Sequence, residues 1–340
     1  MKSTLHAERP KGVKIAVFDY DAIVYRAACA VESKQIQVLN KKNGEELIFK
    51  NRTELYGGWQ KKDGGWLAEQ KGLTLDDLEI TEFSTVEPLE NALAIAKHLI
   101  EGVLEQTELK GYGGYLGGRD NFRKKIATLL PYKGNRVDAT PPYWKDDVVN
   151  YLMQHHGAQE AIGVESDDLV AQAVYSSKQN LGIVLEKDYY GADGQYYNFV
   201  NQEYFIVNGL GYLEKTPKGI KGVGRIWKYF QVCWQDAIDN YYANCFSDKK
   251  NGEVGVYNRL KDCRTDKEAF QAMKEHFLWL YPEPKIITNW KGESLEIDWL
   301  YVMQECFNLA HLLRWDGDNI DLKLAFDKVG VPLGKEGLKA

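Results

Sequence analysis

The sequence predicts an α/β protein, a parallel-sheet core over residues 1–205 followed by a mostly helical part over residues 206–340. Three observations carry this reading. Short β-rich runs alternate with stretches of helical periodicity through the first part; two of those runs end in carboxylates; and beyond about residue 205 aromatic-rich helical patterning takes over as far as Arg314.

Residues 13–18 form a β-rich run that leads into Asp19, and residues 22–31 then read as a helix. Residues 36–38 and 46–50, separated by polar residues 40–44, read as a hairpin. Residues 86–109 carry Leu89, Leu93, Ala96, Ile100, Val103 and Leu104 at helical spacing, so this helix is expected to pack on a sheet. Residues 111–118 hold five glycines, a compact approach to Asp120; they lack the Lys-Ser/Thr ending of a P-loop, which excludes an NTPase reading. Residues 145–156 look helical, and a further helix starts at Glu165 and runs through Ser176. The strand at 181–185 then leads to Glu186. Strand, helix, strand in this order implies parallel pairing, with ligands gathering at the carboxyl ends of the strands, where Asp19, Glu186 and Asp188 fall.

With 340 residues, 44% hydrophobic and 27% charged, the chain can build one sizeable core and a smaller helical subdomain. It has no apolar run of about 18 residues, and its first 14 residues are too polar for a signal peptide, so a cytoplasmic monomer without membrane association is expected. Cys29, Cys233, Cys245, Cys263 and Cys306 are odd in number and form no CxxC pair, which indicates neither a disulfide framework nor a zinc ribbon. His155 and His156 are adjacent, lack an H-E-x-x-H pattern and are expected to end an exposed helix. A net charge of −6 argues against coating nucleic acid by bulk attraction. Locally the balance reverses: Arg119, Arg123, Lys124, Lys125, Lys133 and Arg136 face one acid, Asp120. A basic footprint beside an acidic pocket fits this pattern, and a solvated charge run is its ordinary alternative.

The acids themselves are the strongest signal. Glu165, Asp167 and Asp168 crowd the start of one helix, where their repulsion calls for a cation or the positive end of a helix dipole; first-turn capping acids account equally for one or two of them. Glu186 and Asp188 flank a strand exit, and Asp236 and Asp239, spaced i, i+3, can share one side of a helical turn. With Asp19 and Asp120 this makes five places where carboxylates sit at element ends. Hard oxygen ligands of this type suit magnesium or manganese, and two such ions about 4 Å apart can drive displacement at a phosphodiester. No calcium-loop spacing occurs.

The order of these motifs resembles the 5′-nuclease superfamily, a PIN-like fold, and within it the bacteriophage 5′-3′ exonucleases and flap endonucleases. Val17-Phe18-Asp19-Tyr20-Asp21 is similar to the strand-one aspartate motif. Asn121-Phe122-Arg123 and Pro131-Tyr132-Lys133-Gly134-Asn135-Arg136 resemble the segment after the second aspartate, here Asp120. Glu165-x-Asp167-Asp168 resembles E-x-D-D, Glu186-Lys187-Asp188 resembles D-x-D, and Asp236-x-x-Asp239-Asn240 resembles G-D-x-x-D-N. The likeness runs from about residue 13 to residue 260.

What the resemblance implies is a metal-dependent nuclease acting on DNA with 5′ ends, flaps or nicks in phage-type replication or recombination, in the host cytoplasm and alongside replication proteins. Asp19, Asp120, Glu165, Asp167 and Asp188 would surround one Mg2+ or Mn2+ ion, and Asp168, Glu186, Asp236 and Asp239 would serve a second. Glu165, Asp188 and Lys133 would be catalytic, Lys133 as the cation on the scissile phosphate. Tyr132 would stack near the terminal base. Arg123, Lys124, Lys125 and Arg136 would hold phosphates, and residues 118–142 would form a basic arch. Three departures stand out. Glu186 replaces an aspartate, Gln235 replaces a glycine, and Tyr241-Tyr242-Ala243-Asn244 replaces the usual I-P-G-V, so the helix-hairpin-helix is altered. Residues 219–224 look like its glycine turn but precede Asp236; they are expected to be a flexible lysine-rich arm bringing Lys221 and Arg225 to phosphate. Residues 252–257 are the better candidate for the hairpin's second helix. A non-catalytic DNA-junction binder with a decayed site, and a ribonuclease acting on RNA-DNA hybrids, are the alternatives. Trp59 and Trp66 are expected to pack, and the tail after Arg314 carries no identifiable chemistry.

Overall fold

The computed structural model describes residues 3–57, 65–136 and 140–334. In chain order the elements are β1 (Thr4–Ala7), β2 (Ile15–Asp19), α1 (Tyr20–Ala30), β3 (Glu32–Asn40), β4 (Glu46–Phe49), α2 (Arg52–Tyr56), α3 (Gly65–Glu69), β5 (Leu78–Val86), α4 (Leu89–Thr107) and β6 (Gly111–Arg119). There follow α5 (Arg123–Ile126), α6 (Lys145–His155), β7 (Ala158–Ile162), α7 (Ser166–Ser176), β8 (Asn180–Val184), β9 (Gly194–Asn198), β10 (Glu203–Val207), β11 (Tyr212–Thr216) and β12 (Gly219–Val223). The last part holds α8 (Arg225–Cys233), β13 (Gln235–Asp236), β14 (Tyr241–Tyr242), α9 (Glu253–Leu260), α10 (Asp266–Leu280), β15 (Lys285–Thr288), β16 (Ser294–Ile297), α11 (Trp299–Ala310) and α12 (Leu322–Val329).

A seven-stranded sheet in the order β1-β10-β9-β8-β2-β6-β7 is the frame of the larger compact unit, which comprises Met1–Ala22, Glu101–Thr140 and Leu152–Ala340. β2 pairs in parallel with β6 and β8, β6 with β7, and β8 with β9; β10 and β1 then add antiparallel at one edge. Strands buried on both faces need continuous apolar runs, and β2 and β8 supply them, each with four consecutive buried residues. β6 meets its neighbours differently. A Cβ added at Gly114 would lie 2.1 Å from the Phe18 carbonyl oxygen, and one at Gly118 would lie 1.6 Å from that of Ala161. The glycine run is therefore a central strand whose missing side chains let its neighbours approach.

Two buried clusters fill this unit. One lies under the sheet and joins Val170 and Val174 of α7 to Val184, Tyr196 and Phe205. The other is built from α8, α10 and α11 around Phe230, Phe277 and Phe307. That second cluster also takes in Ala127, Leu129 and Tyr132. The middle of the expected arch is thus anchored in a core, while Arg119, Asp120, Lys124, Lys125 and Arg136 are exposed; residues 137–139 lie outside the described residues.

The smaller unit comprises Ile23–Ile100 and Pro141–Tyr151. Its sheet has the order β4-β3-β5, so the expected hairpin gains a third, antiparallel strand in β5. Ile36, Val38, Phe49, Leu55 and Leu78 form its core, with Trp66 against Phe49 at 5.2 Å between rings; Trp59 lies outside the described residues. The change of character near residue 205 does not mark a division between compact units: the helical elements after it belong with the seven-stranded sheet.

Three local expectations are corrected. Residues 219–223 are not a flexible arm but strand β12 of a two-stranded hairpin with β11. Residues 235–242 are a short β-hairpin, not a helix. His156 is buried beyond the end of α6, its carbonyl accepting the Tyr20 hydroxyl at 2.7 Å. Residues 253–260 do form a helix, α9.

Candidate metal centre

The carboxyl ends of β2 and β8 lie side by side in the sheet, and the acids that follow them converge. Asp19 closes β2 and is buried. It accepts from Tyr189 Oη at 3.0 Å and from Ser166 Oγ at 3.2 Å; the same hydroxyl lies 3.2 Å from Asp21 Oδ2. Asp21, in the first turn of α1, also accepts from the Gly117 amide at 3.0 Å. Lost hydration, reinforced by the charges of Asp21 and Glu186, pushes Asp19 up to about 8. Glu186 follows β8. The residue as a whole is exposed, yet lost hydration at its carboxyl and the neighbouring Asp188 push it up to about 7.

Asp188 lies in the 3-10 turn Lys187–Gly191, where Gln231 Nε2 donates to its Oδ1. Burial raises it above the ordinary aspartate value, against the pull of Lys187. Asp236 ends β13 and heads the turn to β14, its Oδ1 accepting the amides of Ile238 at 2.9 Å and Asp239 at 3.3 Å. Asn240 completes the turn at φ +60°, a conformation asparagine tolerates, and its side chain donates to the Pro131 carbonyl at 2.9 Å. That turn aims Asp239 back at the site. Asp188, Asp236 and Asp239 each offer an oxygen, and the three lie within 4.8 Å of one another. Burial, opposed by Lys133, leaves Asp239 pushed up to about 6.

The cations are distributed unevenly. Arg123 is 1% exposed, and its guanidinium grips Asp168 with two bonds of 2.6 and 2.8 Å. It also reaches Glu165 at 3.1 Å and the carbonyls of Leu309 and His311 at 3.1 and 2.7 Å. The amides of Leu313 and Glu165 donate to Asp168 as well. Lys133 Nζ bonds Glu165 and lies 3.6 Å from Asp239. Its backbone stands at φ +54°, unusual for lysine, held by a hydrogen bond from its amide to the Asp239 carbonyl at 3.0 Å. Tyr132 Oη lies 2.7 Å from Glu165 and 3.0 Å from Asp239. Lys187 Nζ bonds Asp236.

A hard divalent cation fits what remains. Glu165, Asp167, Asp188, Asp236 and Asp239 line a cavity of about 10 Å³, the room of one water or ion. The donors are carboxylate oxygens, the set preferred by Mg2+ or Mn2+. Asp167 is raised well above its ordinary value by burial and by Glu165 and Asp168, so the charge here exceeds what the lysines offset.

The structure sorts the expected residues. Asp19, Glu165, Asp167, Glu186, Asp188, Asp236 and Asp239 converge. Asp120 does not: it is exposed at φ +61° beyond β6, and the largest charge effects on Asp19 come from Asp21 and Glu186. Asp168 lies beside them with both oxygens bonded to Arg123, and Arg123 is itself buried, away from the exposed face expected of a phosphate contact. Tyr132, 6% exposed, orients Glu165 and Asp239 and presents no open ring to a base. Arg225 is tied to Asp266 by bonds of 3.0 and 2.6 Å. Lys124, Lys125, Arg136 and Lys221 are exposed. Asp21, Ser166, Lys187 and Gln231 were missed as site groups; Asp21 carried a signal, two residues past a carboxylate at a strand exit. The segment around Arg314 also has a role, since Leu309–Leu313 supplies the backbone groups that close over Arg123 and Asp168.

Fold and site together define a mixed α/β protein with a partly buried carboxylate cluster of metal-ligand chemistry at the carboxyl end of a mostly parallel sheet. No family model and no curated protein matches the chain. Among solved structures, that of the T5 D15 protein co-crystallised with metal ions is a distant neighbour, with a TM-score of 0.39 and 13% identity over 66% of this chain and 79% of that one. Among the described residues, no helix is long and apolar enough to cross a membrane.

Proposed function

We propose that this chain is a divalent-metal-dependent nuclease of the 5′-3′ exonuclease and flap endonuclease type, hydrolysing DNA phosphodiester bonds near 5′ ends. One observation carries the reading: Asp188, Asp236 and Asp239, drawn from two separate stretches of chain, present oxygens within 4.8 Å of one another and share a cavity with Glu165 and Asp167. Glu186 is close enough to feel the charges of Asp188 and Asp239, and Asp19 to feel that of Glu186. Asp188, Asp236 and Asp239 would hold one ion, with the group around Asp19, Asp21 and Glu186 as the candidate for a second. A divalent cation there supplies charge stabilisation at phosphorus and a water of lowered pKa.

The chain's own residues do the rest. Lys133 holds an ammonium at the mouth of the carboxylate group, where negative charge grows as a phosphodiester is cleaved. Tyr132 fixes Glu165 and Asp239 in place. Arg123 neutralises Asp168 and so keeps the start of α7 folded under the acids. Lys124, Lys125 and Arg136 give an exposed basic face for phosphates.

A second reading, a DNA-binding protein that does not cut, draws on the two lysines already seated on Glu165 and Asp236, which could take the place of a metal ion. An assay on end-labelled 5′-flap, nicked and blunt DNA and an RNA-DNA hybrid, with and without Mg2+ or Mn2+, separates the readings. Metal-dependent products from the DNA ends support the proposal. Binding without cleavage in either metal favours the second reading, and preferential cutting of the hybrid's RNA reassigns the substrate.

A further inference from the structure

A second concave site shares Lys187 with the carboxylate cluster. It is a cleft of about 280 Å³ between strand β10, the β11–β12 hairpin and the start of α8. Lys218 and Lys221 line it with two lysine side chains, Lys187 lines it with its ammonium already bonded to Asp236, and Tyr190, Phe205 and Trp227 form its apolar wall. Among the described residues Lys218 and Lys221 pair with no carboxylate, and the carboxylate on the rim, Glu203, is 3.0 Å from His6 Nδ1. The cleft therefore carries unspent positive charge beside aromatic surface. Tyr190 and Phe205 pack at 4.4 Å, and Trp227 Nε1 donates to the Lys187 carbonyl at 2.9 Å, so the wall and the cationic edge are fixed to one another.

We infer that this cleft is a binding site for a single nucleotide, its phosphate between Lys218 and Lys221 and its base against the Tyr190, Phe205 and Trp227 wall. The volume lies just below the roughly 300 Å³ at which small-molecule sites begin, so it suits at most one nucleotide and not an oligomer. Base faces stack on aromatic side chains whatever the sequence, while lysines meet phosphate as point charges. Asn201 and Thr216 add polar groups for the sugar or base edge. Lys187 is shared with the carboxylate cluster through Asp236, which sets the cleft beside the proposed reaction site. The choice of a nucleotide over other phosphorylated aromatics rests on the nuclease reading. Its source is either a free mononucleotide, such as a released product, or the terminal nucleotide of a DNA strand.

The test is equilibrium binding in EDTA, where cleavage plays no part, so failure of the nuclease reading and failure of this one are separately visible. The probes are a deoxynucleoside monophosphate, its nucleoside, inorganic phosphate and a 5′-phosphorylated oligonucleotide. The monophosphate should bind at least about tenfold more tightly than nucleoside or phosphate alone, and a Lys218→Met/Lys221→Met variant should lose about tenfold or more of that affinity. Both lysines are exposed, so the variant should keep the wild-type melting curve. Competition by the oligonucleotide identifies a strand end as the occupant, and absence of competition identifies the free nucleotide. Equal binding by inorganic phosphate, or unchanged affinity in the double variant, overturns the inference.

Discussion

Asp168 and Asp188 look alike in sequence, each an acid in a short acidic motif, yet their surroundings give them opposite roles. Asp168 is fully buried with both oxygens bonded to one guanidinium, so Asp168→Asn leaves the buried Arg123 charge, among the described residues, with only its 3.1 Å carboxylate contact to Glu165. Breaking a buried pair from one side costs about 3–5 kcal/mol, and urea unfolding should register a loss of that order. Asp188 sits among carboxylates that raise one another, so Asp188→Asn should leave the metal-free protein at least as stable as wild type. It should instead weaken Mg2+ binding, read by calorimetry, by more than the roughly 10–100-fold that loss of an outer partner costs, and abolish cleavage while DNA binding persists. The types of residue at the site were legible in the sequence because clustered acids at element ends are unusual. The division of labour was not. It depends on Arg123 and on the backbone of Leu309–Leu313, which approach Asp168 from far along the chain.

At the scale of elements, β6 couples the sheet to the site through two glycines that should fail differently. Gly114→Ala would drive a methyl against the Phe18 backbone, which has nowhere to go, and should cost about 1–3 kcal/mol or more in thermal or urea unfolding. At Gly117 the nearest atom is Asp21 Oδ2, 2.4 Å away at the end of a side chain, so Gly117→Ala should fold yet displace Asp21 and reduce cleavage. Equal loss of stability in both variants would show that the strand, not the carboxylate, sets the requirement. The segment after β6 gives another test. Lys124→Ala with Lys125→Ala should reduce the slope of log affinity against log salt by about 1.4–1.8 if each neutralises one phosphate, and leave kcat unchanged. β2, α7 and β8 were legible because apolar runs and a first-turn acid pattern are local signals. The turn at 235–240 was misread because carboxylates spaced i, i+3 fit a helical turn and an aspartate-headed loop equally. What decides is that Asp236 spends one oxygen on the amides of Ile238 and Asp239.

Across the whole molecule the raised carboxylates tie stability to pH and to metal. Asp19 pushed up to about 8, Glu186 to about 7 and Asp239 to about 6 all hold protons in the folded state at pH values where the unfolded chain has released them. Between about pH 4 and pH 8 these three acids therefore bind more protons in the native than in the unfolded state, outweighing His276 and His311, which burial holds down to about 4 and which oppose them below about pH 6.5, and stability is expected to fall as pH rises through that window. Acids with depressed values, such as Asp77 at about 2 and Asp318 held lower still, oppose this only in the acidic range, because their stabilisation is complete once the unfolded chain has ionised. The melting temperature of the metal-free protein is thus expected to decline from about pH 5 to pH 8. A divalent cation reverses the trend, since it takes the place of the bound protons and binds best where fewest must be displaced. The rise in melting temperature on adding Mg2+ should accordingly be larger at pH 8 than at pH 6, and Asp188→Asn should remove most of that difference. A metal-free melting temperature that climbs steadily from pH 5 to pH 8, or a Mg2+ effect independent of pH, would mean that these acids do not share one electrostatic site.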